Sequence, residues 1–442
     1  MTFIESADRT RNYLQQIKGA LIYRVLAVGA SFLAFPLMIR YLGQEKFGVW
    51  STLLTVISWV VFFDLGVGNG LRNKVAESLA KSQRDEAARF ISSGYTLIGV
   101  IALGLWLVVT LCSYFVPWQV VFNTTVISED QLRDTVHVAV FFIALNFWLG
   151  LISPLLGAVQ RTSFISLGQL ITNVLVLTFV YALSQTTISS ISHLALVYGF
   201  SLVAANCCLS FWFYRSRPEL RPQVHFDGQH VRPLLAVGLQ FFTIQLAVLV
   251  IFTTDKMLIT QLFGPQHVTQ YDVVFKLFSV VLFIHSLISA PLWSAYTDAF
   301  HRSDFLWIKR MLSKQLAVYL FVLAMIFALV LTASWIIMIW IGENLDIPAI
   351  LVIMIAIFIA VSTWNNIFAM LVNGIGKIKV QLYTSVIAMA LNIPLSIWLA
   401  RQTDLGVSAV VLGTICSLSL PAVALPVQVW MMLRRQGAKV VA

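Results

Sequence analysis

The chain has 442 residues, 59% of them hydrophobic and only 11% charged, and carries a formal charge of +10. Soluble globular chains average about a quarter charged residues, so this composition excludes that class. Many apolar runs approach or exceed the ~20 residues that cross a bilayer as a helix, and they lack the alternation of β-barrel strands.

Residues 1–18 are polar and mixed in charge, without the apolar core of a cleavable signal. They are expected as a solvated tail or a short helix on the membrane surface. Twelve spans follow. The first half holds 19–39, 47–63, 91–114, 136–156, 165–183 and 191–214; the second holds 234–252, 271–293, 316–341, 349–372, 380–400 and 407–433.

The first span carries Arg24. A cation there either faces a bundle interior or a water-filled cavity, or it snorkels toward the headgroups near Lys18. Asp64 ends the second span beside Gly66, Gly68 and Gly70. It can anchor an inner gate or serve as an ordinary interfacial carboxylate. The charges from Arg72 to Arg89 predict an amphipathic connector helix along the inner surface.

The third to sixth spans hold only amides, Asn146, Gln169 and Asn173, which suit hydrogen bonds between helices. Residues 218–232, with Pro218, Pro222 and Gly228, read as a linker between lobes 1–217 and 233–442. The seventh span ends in Thr253-Thr254-Asp255-Lys256, a neighbouring pair of opposite charges expected near the outer surface. The eighth carries Asp272 and Lys276 four residues apart, on one helix face where they can pair. Lys276 sits deeper and is the better candidate for a cavity-facing cation. His285 reads as a hydrogen-bonded structural residue, and Trp293 and Trp307 as interfacial anchors.

The chain repeats itself. Residues 40–73 hold a turn with Gly43 and Gly48, an apolar run and the glycine-rich exit after Asp64. A degraded copy starts at Gly264, about 221 residues later. Gly157 to Arg161 corresponds to Gly374 to Lys377, and Asn173 to Asn392. Fixed-period similarity marks a duplicated unit. With an even number of spans per half, the repeats are parallel, an arrangement suited to alternating access with a site between halves.

Cytoplasmic termini would gather 22 of the 29 Lys and Arg residues on the inside, as the positive-inside rule requires. Topology then accounts for the net charge, and nucleic acid has no part in it. The cysteines, Cys112, Cys207, Cys208 and Cys416, all fall inside spans without metal-ligand spacing and are expected as buried small residues.

The stretches Arg40-Tyr-Leu-Gly-Gln-Glu-Lys-Phe-Gly-Val-Trp50 and Asp64-Leu-Gly-Val-Gly-Asn-Gly-Leu-Arg-Asn73 carry a resemblance. So do Asp255-Lys256 with Gly264 and Tyr271, and Pro291-Leu-Trp-Ser-Ala-Tyr-Thr-Asp298 with Trp307. Over nearly its whole length the chain resembles the polysaccharide-transporter family of bacterial oligosaccharide flippases. The resemblance implies an all-α membrane fold of the multidrug/oligosaccharidyl-lipid/polysaccharide exporter type, with two six-helix lobes around a central cavity. It also implies an inner-membrane transporter without cofactor or metal, moving an undecaprenyl-diphosphate-linked oligosaccharide such as an O-antigen repeat unit. Membrane lipids and other polysaccharide-assembly proteins are the further partners expected.

A diphosphate needs cationic partners, and Arg24 and Lys276 supply one from each lobe. Asp64, Asp255, Lys256 and Asp272 are the candidates for gating or ion coupling. A multidrug exporter of the same fold would favour acidic cavity residues instead. A membrane-embedded polymerase or ligase would need a large outer loop and a catalytic constellation, and neither is visible.

Overall fold

The computed structural model describes residues 3–60, 67–186, 189–223, 253–289, 292–342 and 345–441. Within them the chain is helical, as it must be where no water satisfies backbone N–H and C=O groups. It divides into two compact units, Met1–Leu246 and Ala247–Ala442.

In the first unit the helices are α1 (Phe3–Leu42), α2 (Gln44–Val60), α3 (Val67–Ala80), α4 (Arg84–Cys112), α5 (Trp118–Phe122), α6 (Glu129–Leu149), α7 (Ile152–Ala158), α8 (Thr162–Ser184) and α9 (Ile191–Ser216). In the second, α10 (residues 253–263) precedes α11 (Pro265–Ser289), α12 (Leu292–His301), α13 (Phe305–Ile341), α14 (Ala349–Gly374), α15 (Lys379–Gln402) and α16 (Val407–Val441). Ten helices among the described residues are long and apolar enough to cross a membrane. The expected span 47–63 falls on α2, which reaches the edge of the described residues; the expected span 234–252 lies outside them.

Three expectations change. The N-terminal segment from Phe3 is helical and continuous with the first span rather than a separate surface helix. The 72–89 connector is not one helix: α3 ends at Ala80, and the chain turns through Ser82 into α4. Val67, Leu71 and Val75, one turn apart, pack into the unit's core with Phe90, Ile91, Leu155 and Phe213. The four cysteines are exposed, not buried. A thiol behaves as a small hydrophobe, so a helix face turned toward hydrocarbon accepts it as readily as a core does.

The repeat is visible in the backbone. Gly43 and Gly264, 221 residues apart, both have positive φ, 76° and 97°. Ser82 and Ser303, again 221 apart, have φ of 61° and 59°. Each is followed by a six-to-one closing bond, Gln83 N–H to Ser78 O and Asp304 N–H to Ala299 O, both 2.9 Å. The Gly157 and Gly374 landmarks likewise open matching turns. Arg161 N–H donates to Leu156 O at 2.8 Å and Lys377 N–H to Val372 O at 3.0 Å, with Gln160 and Gly376 left-handed. These are Schellman closures, which satisfy carbonyls orphaned at a helix end. The cores correspond too: Tyr296, Ile308, Phe368, Leu371 and Met432 cluster in the second unit, where the first uses α3, α4, α7 and α9.

Candidate functional site

A buried polar group lies within the second unit, on α10, α11, α15 and α16. Close helix approach creates it. A Cβ added to Gly413 of α16 would lie 2.6 Å from the Cα of Ser396 on α15, so glycine is what lets the two backbones meet. Ser396 Oγ donates to the Val410 carbonyl at 3.2 Å, tying the crossing.

One turn away a relay of side chains begins. Thr254 Oγ1 donates to Asn392 Oδ1 at 3.0 Å, and Asn392 Nδ2 to Thr414 Oγ1 at 2.9 Å. Thr414 Oγ1 donates to Asp255 Oδ1 at 2.7 Å. All three bonds run the same way, so each donor is spent toward the Asp255 carboxylate. Aligned donors in a low-dielectric interior strengthen one another and favour negative charge at the end of the chain. Asp255 is buried, only 3% exposed.

The next residue turns elsewhere. Lys256 Nζ lies 2.7 Å from Asp272 Oδ1 on α11. Consecutive helical residues point about 100° apart, so Asp255 and Lys256 address different helices. Asp272 is thus held across helices by Lys256, rather than only along its own helix by Lys276 as its spacing suggested. Lys276 is partly buried and acts electrostatically on the same carboxylate.

Arg24 is exposed on α1, in the first unit, and so belongs to a different unit from Lys276. Asp64 lies outside the described residues. His285 is buried, and its Nε2 has no hydrogen-bond partner among the described residues. Two intramembrane amides join helices as expected: Asn173 Nδ2 donates to Ala27 O at 2.8 Å, and Asn146 Oδ1 accepts from Asn206 Nδ2 at 2.6 Å. Sequence reasoning did not assign Thr254, Asn392 and Thr414 to the site. The one available signal was the run of hydroxyl and amide residues in otherwise apolar helices.

Residues 20–296 match the family described as polysaccharide biosynthesis protein. The chain belongs to that family. A protein of Salmonella typhimurium named as an O-antigen transporter is 22% identical over 410 residues, 90% of this chain and 91% of its own. One of Yersinia pseudotuberculosis named for O-antigen export is 21% identical over 361 residues, covering 80% and 82%. Among solved structures, an inward-facing multidrug resistance MATE transporter of the MOP superfamily matches with a TM-score of 0.77 at 12% identity, over 95% of this chain and 99% of that one. A MOP superfamily transporter from Pyrococcus furiosus, described as having a binding pocket of reverse polarity, matches at 0.60 with 13% identity over 96% of each. At these identities the structures establish the fold alone: this family member has the all-α membrane fold of the MOP superfamily.

Proposed function

We propose that this protein is a flippase that carries an undecaprenyl-diphosphate-linked oligosaccharide from the cytoplasmic to the periplasmic leaflet by alternating access. One observation carries the reading: kinship to a polysaccharide-assembly family, with relatives named as O-antigen transporters over most of the chain. The duplicated halves support the mechanism, since paired bundles of this kind move against each other around a fixed site. Termini in the cytoplasm follow from the positive-inside distribution.

Arg24 and Lys276 are the residues we assign to the diphosphate, because charge-assisted bonds to phosphate oxygens offset its desolvation. The glycan would be held by hydroxyls, amides and ring faces while the polyprenyl tail stays in lipid. Asp64 remains a candidate inner-gate residue. Asp272 already has Lys256 as a counter-charge. Asp255, whose relay partners are neutral hydroxyls and an amide, is therefore our candidate for ion or proton coupling. Outward movement of the anionic headgroup is downhill in a membrane with negative interior, by about 2.3 kcal/mol per charge per 100 mV. Coupling at Asp255 would reset the empty carrier.

Deletion of the gene tests the reading. The expected result is accumulation of the complete lipid-linked repeat unit on the cytoplasmic leaflet, reversed by the wild-type chain but not by Arg24→Ala or Lys276→Ala. Arg161→Ala, on a turn, should restore as wild type. An unchanged lipid-linked pool would refute the function; Arg24→Ala or Lys276→Ala variants absent from the membrane would show a structural role for those cations.

A further inference from the structure

A second site lies in the second unit between α13 and α16, lined by none of the Asp255 relay residues. Lys309, in the opening turns of α13, and Arg434, at the end of the α16 span, flank a cavity of about 470 Å³. Because the two helices run in opposite directions there, both cations stand at the same membrane level. By the positive-inside rule that level is the cytoplasmic headgroup region. Leu312, Val429, Trp430 and Leu433 make its apolar wall. The Arg434 guanidinium sits 5.3 Å from the centre of the Trp430 ring, which orients its N–H edge while the ring faces hydrocarbon.

The neighbouring surface is lipid-facing. Leu306 and Leu320 of α13 and Val423, Val427 and Met431 of α16 are all exposed, as expected of spans bordered by acyl chains. The slot therefore opens sideways into the bilayer, not onto water alone.

We infer that this slot binds the phosphate of an acidic phospholipid between Lys309 and Arg434, with an acyl chain along Leu312 and Val429. Three features select that ligand. Two cations on an apolar slot between spans, on the cytoplasmic side, form the arrangement that holds anionic headgroups. Among the described residues no carboxylate lines the cavity, so a zwitterionic headgroup would bring its ammonium against like charge. Among the described residues no hydroxyl or amide side chain lines it either, so they offer a sugar no polar partner of the kind a glycan-recognising site would use.

The test uses the full chain purified in detergent, with lipid adducts counted by native mass spectrometry. Phosphatidylglycerol should be retained over phosphatidylcholine of the same chain length. Lys309→Gln with Arg434→Gln should lower phosphatidylglycerol affinity on the order of tenfold or more, since two charge-assisted bonds are lost. The swap Lys309→Arg with Arg434→Lys should retain it. Leu312→Trp keeps both charges but fills the slot, and should lose the same adduct, which protects the test if the double variant is poorly folded. Lys81→Gln with Arg84→Gln removes equal charge from the first unit and should leave binding unchanged. Equal retention of both lipids, or equal losses in the two double-glutamine variants, would overturn the site. Displacement of phosphatidylglycerol by undecaprenyl phosphate would overturn the phospholipid assignment in favour of a prenyl phosphate.

Discussion

The two units share a backbone and differ in charge. The left-handed residues Gly43 and Gly264, and Ser82 and Ser303, recur at the same spacing. At that spacing, Asp255, Lys256, Asp272 and Lys276 correspond to Ala34, Phe35, Ser51 and Thr55. Where the second unit pairs Lys256 with Asp272, the first packs Phe35 edge-on to Phe47, ring centroids 5.1 Å apart. Thr55 satisfies its hydroxyl locally, donating to Ser51 O at 3.0 Å. The scaffold thus closes without charges at these positions. Buried ions cost several kcal/mol each in desolvation, so a group of them that the fold does not require points to function.

The largest expected effect comes from removing both cations that face Asp272. Lys256→Met with Lys276→Met removes both lysine charges from beside a carboxylate whose side chain is 7% exposed, and should cost about 3–5 kcal/mol. Each single variant should cost much less than half of that, because the other lysine remains within electrostatic reach. Additive losses in a thermal-unfolding cycle would show that the two lysines act independently. In the first unit, Ser51→Ala with Thr55→Val should change stability far less.

The helix crossings offer a second contrast. Gly413→Ala drives a methyl into the Ser396 backbone and should cost about 1–3 kcal/mol, by overpacking. The first unit's Gly168 faces only the tip of Leu209, whose Cδ1 would be 2.6 Å from an added Cβ. That side chain can rotate, so Gly168→Ala should be milder. Equal Tm losses would mean that the α15–α16 contact is looser than it stands.

The repeated asparagines differ in the same sense. Asn392→Ala breaks two buried side-chain bonds, to Thr254 and Thr414, whereas Asn173→Ala breaks one, to the Ala27 carbonyl. Each such bond contributes about 0.5–1.5 kcal/mol net, so Asn392→Ala should lower Tm further. Matching losses would indicate that the relay adds nothing.

Much of this was legible before the structure. Span-length apolar runs and the Gly43 and Gly264 landmarks follow from bilayer thickness and positive φ, which act on short stretches of chain. The amide bridges of Asn146 and Asn173 followed from the scarcity of partners in hydrocarbon. The Asp255 relay did not, because adjacency to Lys256 along the sequence says nothing about which helix each side chain meets. Asp272 misled for a related reason: Lys276 at the next turn was visible, while Lys256 reaches it only through tertiary packing. Asp64, the most conspicuous carboxylate in the sequence, stands outside the described residues.

The smallest effect is expected at the first unit's surface. Glu77 on α3 lies between Lys74 at 3.0 Å and Lys81 at 2.7 Å. Hydrogen bonds from Lys81 and then Lys74, with their charges, hold its pKa down at about 2. A depressed carboxylate stabilises above its ordinary pKa of 4.5, and that contribution fades as pH falls toward 2. The exposed position of Glu77 lets salt screen it. Wild type and Glu77→Gln should share one Tm at neutral pH and physiological salt, with any low-salt gap closing on acidification. A gap that survived high salt would contradict this.

The central claim is that the chain translocates a lipid-linked oligosaccharide and that Asp255, in the second unit alone, couples the movement to an ion. It is tested most directly in proteoliposomes loaded with undecaprenyl-diphosphate oligosaccharide, measuring glycan protection from an impermeant glycosidase under imposed proton or sodium gradients. The expected result is protein-dependent translocation that one of the gradients accelerates, with Asp255→Asn retaining slow movement but losing the acceleration. Translocation equal to that of protein-free liposomes would contradict the transport claim, and a gradient response intact in Asp255→Asn would contradict the coupling.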